Sequence, residues 1–286
     1  MGTLHVVSTP IGNLEDISMR ALRVLREARL IAAEDTRHTR KLLNHFNIST
    51  PAISYHVHNE RARLEPILAA LDEGDVALVS DAGTPSFSDP GLELIRAALA
   101  AGHTVTAAPG PVAAVTALVL SGLTPERFTY LGFLPRQGSE RRALLAGVQA
   151  QRWPLVCYEA PHRLLDLLAD MRLVLGDRPC AVARELTKLH EEIIRLPLSG
   201  AIAHFEATPP RGEFTVVVDG APLPDAAAEA AEGANREASA ADRLAALVAT
   251  GLSPRDAVQR VAGELGLPRR KVYNIWLELA ASETSG

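Results

Sequence analysis

The segment DVALVSDAGTPSFSDPG, Asp75–Gly91, decides the fold. Val76 to Val79 form a short unbroken apolar run, the pattern of a strand buried on both faces. Gly83, Pro85, Pro90 and Gly91 follow it in a loop, where Pro fixes the shape of the chain and Gly lets a ligand approach the main chain closely. Helical patterns lie on both sides. NERARLEPILAALDEG, closed by Gly74, comes before, and GLELIRAALAAG comes after. A buried strand set between helices is the unit of a parallel α/β sheet.

The same alternation extends from Leu4 to about Ser121. LHVVST, LIAAED, AISYH and HTVTAAP read as strands. ISMRALRVLREA, with Ile17, Ala21, Leu22 and Leu25 on one face, reads as a helix, as do TRHTRKLLNHF and GPVAAVTALVLSG. A second unit starts near Thr124-Pro125, with FTYLGFLP, PLVCYEA and PCAVAREL as strands and SERRALLAGVQA and PHRLLDLLADMRLVLG as helices. EEIIRLPL and GEFTVVVDG read as adjacent strands, which makes this sheet mixed. The Ala/Glu/Pro-rich stretch that follows reads as a linker. DRLAALVAT, PRDAVQRVAGEL and PRRKVYNIWLEL then read as helices, the last two spaced as in a helix-turn-helix. The expected plan is an N-terminal α/β domain over residues 1–121 and a second α/β domain over 122–220. A linker over 221–240 and a C-terminal helical domain over 241–286 complete it.

Composition narrows the function classes. Of 286 residues, 47% are hydrophobic and 22% charged, ordinary for a globular protein and far from disorder or a disulfide scaffold. A net charge of −5 argues against a protein that coats nucleic acid nonspecifically, and 4% aromatics argue against an aromatic base-stacking platform. The apolar run AAVTALVLSG is shorter than a membrane span, and no secretory pattern opens the chain, so it reads as cytoplasmic without membrane attachment. Cys157 and Cys180 sit in apolar strand-like runs and read as core residues. Lys41, Lys188 and Lys271 are the three lysines among 29 basic residues, the rest being Arg.

Ligands of open parallel sheets bind beyond the carboxyl ends of the strands. Three loops there are rich in Gly and Pro: Ser8 to Leu14, Ser80 to Gly91, and Ala108 to Val112. They suit a small, flat, mostly uncharged ligand held by main-chain groups. No G-x-G-x-x-G follows a strand and no P-loop motif occurs, which weakens dinucleotide and nucleoside-triphosphate readings. His190-Glu191-Glu192 lacks the second His of a zinc-protease helix, and His56-x-His58 has no third ligand nearby, so no metal is expected.

TPIGNLEDIS, AAEDTRHTR, VSDAGTPSFSDPG, APGPVAAVTAL, YEAPHRL, ARELTKLHEE and GEFTVVVDG, in this order from about Leu4 to Gly220, together resemble one family. It is the bacterial small-subunit ribosomal RNA (cytidine-2′-O-)-methyltransferases, a branch of the tetrapyrrole methylase superfamily. The resemblance implies two α/β lobes sharing a cleft for S-adenosylmethionine, a small helical extension, a homodimer, and a substrate within an assembled or nearly assembled small subunit. It places the donor against Pro10, Gly83, Thr84, Pro85 and Phe87, against Pro109, Gly110, Pro111, Val112 and Ala113, and against Tyr158 and Glu159. Tetrapyrrole makers of the superfamily typically carry Gly-Gly-Asp-Pro where this chain has Ala-Gly-Thr-Pro, which leaves Asp81 as a candidate for the donor's polar groups.

A ribose 2′-hydroxyl is a weak acid and needs a base, or a cation that favours the developing alkoxide. Asp35, Arg37, Glu60, Glu185 and Lys188 are the candidates. Lys188 stands out because a desolvated Lys loses its proton more readily than Arg. Asp35 has an equal structural reading as a helix cap. Candidates for RNA contact are Arg37, Arg40 and His58, then Arg136, Arg141 and Arg142, then Arg269, Arg270 and Lys271 at the start of the last helix. Two alternatives share parts of this pattern: a tetrapyrrole methyltransferase, and a ligand-sensing regulator that binds nucleic acid through its terminal helices.

Overall fold

The short apolar runs of the first lobe become strands. In order they are β1 (Thr3–Val7), β2 (Leu30–Ala33), β3 (Ala52–Ser54), β4 (Val76–Val79) and β5 (Thr104–Ala108). They form one parallel sheet in the order β3-β2-β4-β1-β5, with Leu4 and Leu30 both in register with Val76. All four residues of β4 are buried, as a central strand covered on both faces requires. The helices α1 (Met19–Glu27), α2 (Thr36–His45), α3 (Glu60–Glu73), α4 (Leu92–Ala100) and α5 (Ala113–Ser121) follow the strands in turn. Ser18 caps α1 by accepting from the Ala21 amide at 3.1 Å, and Asp35 caps α2 through the Arg37 amide at 2.8 Å.

The second sheet contains β6 (Thr129–Phe133), β7 (Leu155–Glu159), β8 (Pro179–Arg184), β9 (Glu192–Pro197) and β10 (Phe214–Val218) in the order β6-β7-β10-β8-β9. β6 and β7 run parallel and the remaining pairs antiparallel, so the sheet is mixed. β9 and β10 are not neighbours, however, because β8 lies between them. β9 is half exposed along its length and sits at the edge, whereas β10, apolar but for Thr215, is buried throughout. The helices are α6 (Gly138–Val148), α7 (Leu164–Leu175) and α8 (Leu198–Ala207), the last missing from the sequence reading. Cys157 and Cys180 are buried in the core beneath α7 and α8, and burial pushes both thiols well above their ordinary pKa, Cys180 to about 12.

The computed structural model describes residues 1–222 and 226–284, and the chain divides into Met1–Ala221 and Pro222–Gly286. Both sheets therefore lie within one unit. The reason is α5: Ala114, Ala117 and Leu118 pack on Val156, Ala181, Ala183 and Val217, side chains of the second sheet. A boundary at 121 cuts between this helix and the sheet that it covers. In the terminal unit, α9 (Ala226–Ala249), α10 (Pro254–Leu265) and α11 (Arg269–Thr284) enclose a core that includes Leu244, Val258, Val261 and Val272. The linker expected over 221–240 is thus helical from Ala226, as its Ala and Glu content favours, while residues 223–225 lie outside the described residues.

Candidate functional site

The loops at the carboxyl ends of the first sheet are tied to one another. Thr9 and Gly83 exchange main-chain hydrogen bonds of 2.8 and 3.0 Å, and the Ser8 and Thr84 hydroxyls meet at 2.8 Å. The Asp35 amide donates to Asp81 Oδ1 at 3.0 Å, and the Asp81 amide donates to Glu34 Oε2 at 3.2 Å. The connection after β2 runs outward to β3 whereas that after β4 runs to the opposite edge. These carboxylates therefore sit at a topological switch point, where such sheets bind ligands. The loop after β4 is strained: Ser86 and Ser88 have φ of 67° and 69°. Gly91, at φ 138°, has no room for a side chain, since a Cβ there would lie 2.6 Å from Ser86 Oγ.

The second lobe supplies the facing wall. Tyr130 stacks on Phe87 with centroids 4.3 Å apart, and Phe133 and Tyr158 stand 5.5 Å from one another. The Tyr158 hydroxyl accepts from the Ala114 amide at the start of α5 at 3.1 Å, and Tyr130 meets Ser88 at 2.6 Å. Burial pushes both phenols above their usual pKa, so both are neutral hydrogen-bonding groups. The turn after β8 is the second strained segment, with Glu185 at φ 50° and Thr187 at φ 65°. It holds Lys188 Nζ at 2.9 Å from both Glu185 Oε1 and Glu213 Oε2. Across the lobe boundary, Gly12 leaves room for this turn: a Cβ there would stand 2.9 Å from Leu186 O and from Thr187 Oγ1.

Two adjoining cavities result. The larger, about 420 Å³, is walled by Gly83, Phe87, Ala113, Phe133 and Tyr158 and receives the carboxylates of Glu34, Asp81 and Asp89. The ligand it suits is therefore not mostly uncharged, as the loops alone suggested, but one that carries positive charge. Burial raises the Glu34 pKa, with the Asp81 charge adding to it. Burial, then the charge of Glu34, pushes Asp89 up to about 6. The smaller cavity, about 360 Å³, shares Ile11, Asp81, Ala82 and Glu213 with the first and ends on Lys188.

Of the residues expected around a donor, Asp81, Gly83, Thr84, Phe87, Val112, Ala113, Tyr158 and Glu159 line the larger cavity. Pro10 lines the smaller one. Pro85, Pro109, Gly110 and Pro111 line neither; Pro85 is buried, and Gly110 lies so close to Ser8 that a Cβ would come within 2.8 Å of its Cβ. The Glu159 carboxylate accepts from the Ala160 amide at 2.8 Å and pairs with Arg163 at 3.2 Å. Sequence reasoning did not single out Asp89, Phe133 or Glu213. Asp89 lies inside the quoted loop, and its signal was a carboxylate placed between Ser88 and Pro90.

Among the expected reaction groups, Lys188 is the one that lines either of these two cavities. Burial works against its charge, but the bonds and charges of Glu213 and Glu185 outweigh it and its pKa rises. It is a held cation in this arrangement, not a poised base. Glu185 is opposed by burial yet kept below its usual range by Lys188 and the Glu213 amide. Asp35 is the helix cap, and the Arg37 guanidinium beside it lowers its pKa to about 2, too low for a proton acceptor. Glu60 opens α3 beside Tyr55, away from both cavities.

The expected RNA contacts divide likewise. Arg37, Arg40, His58, Arg136, Arg269, Arg270 and Lys271 are exposed. Arg141 is not: it is 5% exposed and donates from Nε to Asp170 Oδ2 at 2.7 Å, so it is a buried link between α6 and α7 and cannot meet a phosphate. Arg142 joins the same carboxylate at 2.9 Å while remaining partly exposed. Lys271 pairs with Glu237 at 2.5 Å.

Two α/β lobes closing on an acidic cleft, followed by a three-helix unit, define the class, and comparison with known proteins agrees. Residues 3–202 match the family model "Tetrapyrrole (Corrin/Porphyrin) Methylases", and residues 234–280 match "RsmI C-terminal HTH domain". The fold is that of a cobalt precorrin-4 methyltransferase (TM-score 0.59, 15% identity, 78% of this chain and 96% of that one). It is also that of a Thermus thermophilus uroporphyrin-III C-methyltransferase complexed with S-adenosyl homocysteine (TM-score 0.52, 18% identity, 76% and 97%). Much stronger is the similarity to proteins named ribosomal RNA small subunit methyltransferase I. That of Synechocystis is 47% identical over 98% of this chain and 99% of its own, and that of Halalkalibacterium halodurans is 45% identical over 96% and 94%. The chain belongs to the tetrapyrrole methylase family and, within it, to the branch of these ribosomal RNA small subunit methyltransferases.

Proposed function

We propose that this protein transfers a methyl group from S-adenosylmethionine to the 2′-hydroxyl of a cytidine in small-subunit ribosomal RNA, acting in the cytoplasm as a homodimer on an assembled or nearly assembled subunit. The observation that carries the reaction class, methyl transfer to small-subunit ribosomal RNA, is the near full-length similarity to relatives named ribosomal RNA small subunit methyltransferase I. The larger cavity fits the donor. Phe87, Phe133 and Tyr158 give a flat apolar wall, main-chain groups of Gly83 and Ala113 border it, and the carboxylates of Glu34, Asp81 and Asp89 face its positive charge. When bound, S-adenosylmethionine supplies an electrophilic methyl on a sulfonium.

The chain's own residues then have three tasks. The Gly12 contact and the turn after β8 bring Lys188 and Glu213 to the boundary between the cavities, which positions an acceptor oxygen there. The Lys188 ammonium, kept protonated by its two carboxylates, favours negative charge developing on that oxygen. Glu213, whose carboxylate is also the more exposed partner of Lys188, is placed to take the hydroxyl proton.

A tetrapyrrole acceptor rests on fold likeness at 15–18% identity, which carries no substrate. A ligand-sensing regulator leaves the acidic cleft and the Lys188 pair without a task. The test is transfer of labelled methyl to unmodified small subunits, with digestion to nucleosides to locate the label. Label on the cytidine ribose is the expected result. Label on a base, or preferential methylation of a porphyrinogen, overturns the assignment.

A further inference from the structure

Phe133 closes β6 on the wall of the larger cavity and is 58% exposed, although its neighbour Leu134 is 2% exposed. An irregularity in β6 delivers that ring. Tyr130 lies opposite Val156 and Phe133 opposite Tyr158, so three steps along β6 match two along β7. The extra residue makes a bulge, with Gly132 at φ 63°. Plain alternation would put Tyr130 and Phe133 on opposite faces of the sheet. The bulge puts both on the face of Tyr158, each ring centroid 5.5 Å from its own. Leu131 and Leu134 turn instead to the core beneath α6 and α7.

β6 is also an edge strand, so within the sheet β7 alone holds it in register. The carbonyls that follow it are nevertheless taken. Arg163 Nη2 donates to Leu134 O at 2.8 Å and to Pro135 O at 3.2 Å. Arg141, anchored on Asp170, donates more weakly to Pro135 O and Arg136 O, at 3.4 Å each. Two guanidiniums thus stand in for a ladder across three successive residues. Arg163 is the one tied to the cleft, because it pairs at 3.2 Å with Glu159, whose residue borders the larger cavity next to Tyr158. Arg163 itself does not line that cavity. Any effect it has on a ligand there passes through the residues it holds.

We propose that Arg163 is a positioning residue for the methyl donor: by holding the carbonyls of Leu134 and Pro135 it fixes the bulged end of β6, and with it the Phe133 ring that faces the donor. The inference rests on the assignment of the larger cavity to S-adenosylmethionine and adds what keeps one wall of it in place. A planar, permanently charged guanidinium holds these acceptors in one geometry, as a flexible ammonium does not. A binding wall is only as precise as the residues that support it.

The test is a double-mutant cycle in the full-length protein, with S-adenosylmethionine affinity read by calorimetry. Arg163→Met keeps the reach of the side chain and none of its hydrogen-bond donors. It weakens binding about tenfold, and Phe133→Ala does about the same. The double variant binds at most about twofold more weakly than Phe133→Ala alone, because no ring is left to position. An Arg163 that only supports the fold predicts instead that the two losses multiply, to about a hundredfold. Arg163→Lys keeps a charge beside Glu159 and so guards against a failure to fold. It loses about threefold with Phe133 present and nothing measurable without it. In both single Arg163 variants, kcat for small subunits at saturating donor stays within about twofold of the wild type, while the KM for the donor rises. Multiplying losses overturn the proposal, as does wild-type donor affinity in Phe133→Ala or in both Arg163 variants. A wild-type protein that does not bind S-adenosylmethionine overturns the assignment of the cavity instead, so the wild-type titration separates the two failures.

Discussion

Lys188 shows how a residue singled out by rarity acquires a different role from its surroundings. Its scarcity and family motif marked it, but the sequence does not bring Glu213, twenty-five positions away, to its ammonium. Two carboxylates turn a prospective base into a fixed cation. Lys188→Gln is accordingly expected to reduce kcat by about a hundredfold or more while changing donor affinity little, because the lost interaction belongs to the transition state. Equal losses in kcat and donor affinity would place Lys188 in donor binding instead.

Asp89 carries the second prediction at this scale. Its pKa of about 6 lies above its ordinary value of 3.8, so the folded protein without donor holds this proton more tightly than the unfolded chain does. The Asp89 contribution to stability is therefore greatest below pH 4, declines between about 4 and 6, and is level above. A cationic ligand favours the carboxylate, so donor affinity rises with pH up to about 6, by at most roughly tenfold per unit, and binding releases a proton. Calorimetry in buffers of different ionisation enthalpy checks this. Asp89→Asn flattens the profile and binds the donor more weakly across the range.

At the scale of elements, the strands were legible and their neighbours were not. Val76 to Val79 could be read as a buried central strand because burial on both faces leaves an unbroken apolar run. The order β10-β8-β9 depends on which strand accepts the exposed edge, and adjacent positions in sequence did not supply that information. The stretch from 221 to 240 misled in another way, because Ala and Glu are common to linkers and to helices. Arg141 and Arg142, adjacent and chemically alike, form one basic cluster in the sequence. Helical spacing points Arg141 inward to Asp170 and leaves Arg142 at the rim. Asp170→Ala is expected to destabilise the α6–α7 pair by about 3 kcal/mol, since it strands a buried guanidinium, and thermal unfolding measures it. Replacing both Arg141 and Asp170 with apolar residues of similar volume should recover much of that loss.

For the molecule as a whole, a net charge of −5 is compatible with the proposed RNA substrate because charge is apportioned by place. Carboxylates gather in the cleft proposed for the donor, while guanidinium groups stand on α2 and at the start of α11. Arg255, Arg269 and Arg270 border one groove of the terminal unit together with Tyr273 and Trp276. Changing both Arg269 and Arg270 to Glu should leave donor binding intact and lower the dependence of RNA affinity on salt by about two units of log–log slope, if each meets one phosphate. An unchanged slope would assign this groove to protein contacts.

The packing of α5 on the second sheet has a consequence for how the protein can be taken apart. A chain cut at Gly122 gives one fragment carrying an apolar helix without its support and another whose sheet face is bare. Neither half is a free-standing folding unit, and both should be insoluble when expressed separately but recover a native cleft when co-expressed. Insertions of foreign domains, likewise, should be borne at the terminal-unit junction near Pro222 and rejected at 122, although the sequence marks both places with the same Gly and Pro punctuation.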